Sequence, residues 1–203
     1  MGRVKKAAPT LRQEKAELTR RRIGEAARRL FVSRGYGATT LEAVAADAGV
    51  AVQTVYAVYG SKAAILRALR ESLLRDPAAE GLYRQALAER DPVAKLDLAA
   101  RSIRARWESG HDLVAVNEMA ATTDADLRRE VEAILATRRD GLAQLARTLE
   151  KGLARGITVA GAVAILDALT LPSVYAALVG THAWRPEAYE TWLATSLKHA
   201  LLG

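Results

Sequence analysis

The chain has 203 residues, half of them hydrophobic and 26% charged, which excludes a disordered polypeptide and is ample for an apolar core. It has no cysteine, which excludes a disulfide framework, thiolate metal sites and cysteine nucleophiles. The net charge of +7 is unevenly spread: residues 1–75 carry 15 Lys and Arg against 6 Asp and Glu, whereas residues 76–203 carry 15 against 17. A basic first third on a near-neutral remainder points to a polyanion-binding module joined to something else.

Alanine, leucine, arginine and glutamate dominate, and strand signals are nearly absent, so the chain reads as all-α with about nine helices. Residues 1–13 read as a basic, disordered arm. The first helix is expected from about Leu11 or Glu14 to Arg34, with Ile23, Ala26, Ala27, Leu30 and Phe31 on its apolar face. Arg28 and Arg29 fall on its solvated side. Thr39 and Glu42 have capping-box spacing and open a short helix ending at Gly49. A third helix spans Val52–Tyr59, with Val55 and Tyr59 on the packed side, and Gly60 stops it. Ser61 then caps a fourth, Lys62–Leu74.

Further helices are expected at Glu80–Glu89, from Asp91-Pro92 to Ser109-Gly110, and from Asp112 to Thr122. Others are expected from Asp124 to about Arg155, over Thr158–Val179, and from Arg185-Pro186 to Leu202. No apolar h-region follows the N-terminus, and Asp167 and Pro172 interrupt the most apolar stretch, so a cytoplasmic protein without a membrane partner is expected.

Two short helices around a turn with Gly49, framed by a longer helix in a basic segment, make a helix-turn-helix pattern. At this level residues 20–66 resemble the DNA-binding domain of TetR-type transcriptional repressors. The match runs through Ala26-Ala27, Leu30-Phe31, Gly35-Tyr36, Thr39-Thr40-Leu41, Val44-Ala45, Ala48-Gly49-Val50, Thr54-Val55-Tyr56, Tyr59 and Gly60-Ser61-Lys62. The resemblance implies a three-helix DNA-binding domain at 14–62, and a helical ligand-binding and dimerisation bundle at 63–203. It implies a homodimer that reads a pseudo-palindrome and leaves it when a small molecule binds, with Lys62–Leu74 coupling the two events.

In such a domain the third helix enters the major groove. Gln53 would read an adenine edge and Val52 a thymine methyl. Thr40, Thr54, Tyr56 and Lys62 would hold phosphates. Ala51 stands where Ser is frequent, Val58 where an aromatic or His is common, and Glu42 where a basic residue often reaches the groove. Modest base readout and heavier reliance on the backbone are therefore expected.

In the second half, Trp107, His111, Asn117, Met119, Thr122 and Tyr175 are large or polar groups in apolar helices and are candidate pocket residues for a largely apolar effector. Tyr189, Trp192, Leu193 and Leu197 form a stripe on the last helix and are candidates for the dimer interface, with the helix Thr158–Val179 beside them. The three histidines are scattered, and the chain has no phosphate loop, no GxSxG and no metal-ligand spacing. An enzyme, a cofactor and a bound metal are therefore not expected. The other reading left open is a DNA-binding architectural protein without an effector.

Overall fold

The computed structural model describes residues 10–203. Four helices come first: α1 (Leu11–Arg34), α2 (Leu41–Ala48), α3 (Val52–Tyr59) and α4 (Lys62–Leu74). Six follow: α5 (Pro77–Ala88), α6 (Pro92–Thr123), α7 (Ala125–Leu149), α8 (Val159–Leu169), α9 (Pro172–Tyr175) and α10 (Pro186–Leu202). There is no strand among the described residues. The chain divides into two compact units, one ending at Leu69 and the other spanning Arg70–Gly203, so the border expected at 62/63 falls within α4 instead.

Most helix starts follow from local chemistry. Thr10 caps α1 in a reciprocal capping box with Gln13, which brings residues 11–13 of the expected arm into the helix. Residues 1–9 of that arm lie outside the described residues. Asp76, Asp91 and Asp124 accept from the first-turn N–H groups of α5, α6 and α7. Proline opens α5, α6, α9 and α10, where its missing N–H costs nothing.

Three expectations change. The helices expected at 91–109 and 112–122 are one element, α6, kinked where Gly110 leaves helical geometry. A Cβ there would lie 2.8 Å from the Leu73 side chain of α4, so the bare glycine lets the end of α4 pack against the kink. The long apolar helix expected over Thr158–Val179 breaks at Thr170-Leu171, because Pro172 cannot donate into the preceding turn. It then resumes as α9 and a π-helical turn, Ala176–Thr181. The helix expected to reach Arg155 stops at Leu149 and gives way to a 3-10 turn at Glu150–Gly152.

In the first unit the buried set includes Ile23, Ala26, Ala27, Leu30, Phe31, Val44, Ala45, Ala48 and Val55, on the apolar faces read from the sequence, together with Tyr36, Ile65 and Leu66. In the second, α6, α7, α8 and α10 close around Leu96, Leu145, Leu149, Leu166, Tyr175, Tyr189, Leu193 and Leu197. No single helix among the described residues is long and apolar enough to cross a membrane. Two bent pairs, α2 with α3 and α8 with the segment Pro172–Thr181, reach that length and composition only together.

Candidate nucleic-acid interface

The α2–α3 corner is built around Gly49. Its φ of 63° and ψ of 42° lie in the left-handed region that glycine enters without a Cβ penalty. Its N–H closes α2, and α3 leaves at 107° to it, within the range of a helix-turn-helix. Arg22 of α1 steadies the corner by donating to the Ala48 carbonyl at 2.7 Å. Arg29, exposed as expected, also pairs with Asp47 of α2 at 2.7 Å. The basic face of α1 therefore also fastens α2.

The cap expected of Thr39 falls to Thr40. Thr39 is buried, and its hydroxyl lies 3.2 Å from the Leu30 carbonyl and 2.9 Å from that of Gly35. The cap is Thr40, whose hydroxyl accepts from Ala43 N–H at 3.2 Å. Thr40 remains exposed, so capping does not remove it from the surface.

On α3, Val55 is fully buried, while Gln53, Tyr56 and Ala57 are exposed and Tyr56 is half accessible. Val52 and Thr54 are partly covered at the flanks. Ala51 gives α3 no side-chain cap. Its first N–H groups thus stay available to an external acceptor, the arrangement that favours an anion at a helix N-terminus. Tyr59 closes the far end. Its hydroxyl donates to the Arg20 carbonyl at 3.1 Å, and the Arg20 guanidinium lies 5.0 Å from its ring centre. Burial raises the Tyr59 pKa, against the opposing pull of Arg20.

Lys62 is not a free phosphate ligand. Its ammonium donates to the carbonyls of Tyr36 at 2.7 Å, Gly37 at 3.2 Å and Thr39 at 2.9 Å. It also sits 4.5 Å from the centre of the Tyr36 ring. An ammonium has three protons, and three carbonyls take them. Burial lowers its pKa. The role expected from its position, a phosphate contact, is replaced by that of a clamp on the loop that leads into α2.

The six pocket candidates do not converge. Trp107, His111 and Tyr175 do: the Trp107 indole donates to the Thr170 carbonyl at 3.1 Å, His111 Nδ1 lies 2.9 Å from the Trp107 carbonyl, and the His111 and Tyr175 rings are 5.1 Å apart. Asn117 is buried elsewhere, accepting from Arg70 at 3.0 Å and donating to the Leu113 carbonyl. Arg70 also donates to Glu130. Met119 and Thr122 are exposed near the end of α6 and line no part of that cluster.

The α10 stripe is also mostly internal. Tyr189, Leu193 and Leu197 are fully buried within one subunit, so they are core rather than surface, and only Trp192 of the four reaches the periphery. The sequence did not single out the Arg138 group: this guanidinium donates to Asp167 and, at 2.8 Å, to the Thr170 hydroxyl. Asp167 was noted only as an interruption of an apolar run.

Two short helices that meet at a glycine corner, the later of them, α3, exposed along its outer face, have the helix-turn-helix arrangement. Residues 23–69 match the model of the family described as bacterial regulatory proteins, tetR family. No curated protein matches the chain. Solved structures match it along nearly its whole length. NalD of Pseudomonas aeruginosa, described as the secondary repressor of the MexAB-OprM multidrug efflux pump, is 21% identical with a TM-score of 0.69, covering 93% of this chain and 98% of that one. The fatty acid degradation regulator FadR of Bacillus halodurans is 17% identical with a TM-score of 0.70, covering 95% and 96%. FadR of Bacillus subtilis, solved with stearoyl-CoA, is 18% identical with a TM-score of 0.68, covering 89% and 98%. At these identities the likeness concerns the fold.

Proposed function

We propose that the protein is a ligand-responsive transcriptional repressor that binds a pseudo-palindromic operator as a homodimer and is released by a small, largely apolar molecule. The observation that carries this reading is the exposed outer face of α3, set at 107° to α2 in a tetR-family domain. Gln53 reads an adenine edge and Val52 packs on a thymine methyl. Thr40, Thr54, Tyr56 and the open N-terminus of α3 hold phosphates. Lys62 acts indirectly, by fixing the loop that presents Thr40. Few polar side chains face the bases, so discrimination rests on Gln53 and attraction on the basic residues of α1.

A small-molecule effector is supported by a second, mainly apolar unit of helices, and by the printed descriptions of similar folds: one structure holds stearoyl-CoA, and another, SmeT, holds triclosan. Effector binding changes the spacing of the two reading heads, and affinity falls when they no longer fit successive grooves. The helix α4 is the coupling element, since residues of both units lie on it.

Of the two helices expected to pair, α10 buries most of its stripe, so the pairing surface is assigned to α8. Ala160, Ala164 and Ala168 recur every four residues on the exposed side of α8, followed by exposed Leu171. Such a strip of small side chains lets a second copy approach closely. The Ala164→Arg variant is expected to sediment as a monomer at micromolar concentration and to lose affinity for an inverted repeat, while wild type sediments as a dimer. A wild-type monomer at that concentration contradicts the two-headed mechanism.

A further inference from the structure

Among the described residues, the Tyr189 hydroxyl is the one buried side-chain polar atom without a hydrogen-bond partner. The residue is fully buried, and its ring meets the Tyr175 ring edge-on at 4.9 Å and the Trp192 ring at 5.9 Å. On the other side of Tyr175 lies the His111 ring, at 5.1 Å. A phenolic hydroxyl both donates and accepts, and buried ones are normally bonded.

We propose that Tyr189 is the polar anchor of an internal ligand subsite, one that takes a neutral ring compound carrying a hydrogen-bonding oxygen, such as a phenol or an aryl ketone. The inference rests on the effector-responsive reading above and names the chemistry its effector must offer.

Three features set that chemistry. The walls are aromatic, and ring edges and faces suit a flat or cyclic guest. The nearby cation, Arg138, is already engaged by Asp167 and the Thr170 hydroxyl, so the subsite offers no spare charge to an anion. The unmet hydroxyl supplies one directional bond, which distinguishes an oxygenated ring from a hydrocarbon of the same shape.

The backbone around the cluster is irregular at three places. Gly110, which kinks α6, lies between Trp107 and Leu113 and adjoins His111. The α8–α9 break sits at Thr170, whose carbonyl takes the Trp107 indole. The π-helical turn starts directly after Tyr175 and ends at Thr181, and two residues on Ala183 has a φ of 54°, unusual for a residue with a side chain. Irregular turns of this kind mark functional positions in helices and can shift with less loss of hydrogen bonding than regular ones. They are where the aromatic cluster can part to admit a ring.

The test uses two probes of matched shape, para-fluorophenol and para-fluorotoluene, followed by fluorine NMR with the full-length protein. Wild type should bind para-fluorophenol more tightly than para-fluorotoluene. Tyr189→Phe should weaken para-fluorophenol binding about tenfold, the worth of about one good hydrogen bond, and leave para-fluorotoluene unchanged. Tyr189→Phe should also melt at or above the wild-type temperature, because it removes an unmet polar group from the core. Absence of para-fluorophenol binding, equal binding of the two probes, or undiminished para-fluorophenol binding by Tyr189→Phe overturns the assignment. A lower melting temperature for Tyr189→Phe also overturns it, by giving the hydroxyl a structural partner. Operator binding by the wild-type protein is scored separately: its loss refutes the regulator, whereas a failed probe with intact operator binding refutes only the subsite.

Discussion

Lys62→Met is expected to destabilise the first unit by about 2–4 kcal/mol and, at temperatures where the unit stays folded, to leave the salt dependence of DNA binding unchanged. The size follows from the bonds lost. Hydrogen bonds to a charged donor are worth about 1.5–3 kcal/mol each when they cannot be replaced by water, and the three carbonyls are close enough together that their losses do not add. Tyr36 is buried and its carbonyl partly so, whereas Gly37 is exposed and its carbonyl can turn to solvent. Methionine keeps most of the aliphatic stem and its packing on the Tyr36 ring, which isolates the loss of the ammonium.

The second half of this expectation separates a clamp from a phosphate ligand. A lysine that neutralises a phosphate contributes about one unit of charge to the slope of log affinity against log salt. A lysine whose three protons rest on carbonyls contributes much less than that. Thermal melts give the first quantity, and binding titrations at several salt concentrations give the second. A stable variant with a shallower slope would show that Lys62 swings out to the DNA.

Arg70→Met is expected to cost the second unit about 3 kcal/mol. Arg70 is buried, donates to the Asn117 side chain at 3.0 Å and forms an ion pair with Glu130, so it ties α4 to α6 and α7. Removing one member of a buried charged pair typically costs about 3–5 kcal/mol, because the partner keeps its desolvation cost. Glu130 is about one-third exposed, which places this case at the lower end. The double variant Arg70→Met with Glu130→Gln should recover part of the loss, since the carboxylate no longer carries a charge. Urea melts of the two single variants and the double variant give the coupling directly. Equal stability of Arg70→Met and wild type would show that the network does not hold the end of α4.

Much of the first unit was legible because each signal there is local. Gly49, Gly60 and Ser61 mark turns and caps by their own backbone chemistry, and the apolar spacing of α1 identifies its buried face. The choice between Thr39 and Thr40 was not local. Either residue can cap, and which one does depends on the carbonyls of Leu30 and Gly35, which capture the Thr39 hydroxyl from another helix. The three carbonyls around Lys62 were not legible for a related reason: its matched position in the resemblance reads as a phosphate contact, and only the fold brings the carbonyls to it.

In the second unit, the apolar stripe of α10 was legible, but not that Tyr189, Leu193 and Leu197 would be core residues. Spacing shows that Tyr189, Leu193 and Leu197 share a face, but an apolar face looks the same whether it packs on its own subunit or on a copy. The helix Thr158–Val179 was expected beside that stripe, but its alanines were not singled out, because alanine carries little weight in such patterns, although three exposed alanines in register leave a surface open to close approach. Of the pocket candidates, Trp107 and His111 lie one turn apart on α6 and meet Thr170 and Tyr175, while Met119 and Thr122 are exposed near the end of α6.

The central claim is sequence-selective reading by a paired α3, and selection from sheared genomic DNA tests it most directly. Wild-type protein mixed with genomic fragments should recover, after sequencing, a small set of sites sharing an inverted repeat with half-sites about one helical turn apart. Gln53→Ala should enrich a different or more degenerate set, while its affinity for random DNA stays close to wild type. Recovery of fragments without a shared inverted repeat, and the same fragments with Gln53→Ala, would contradict the regulator and favour a protein that binds DNA by charge alone.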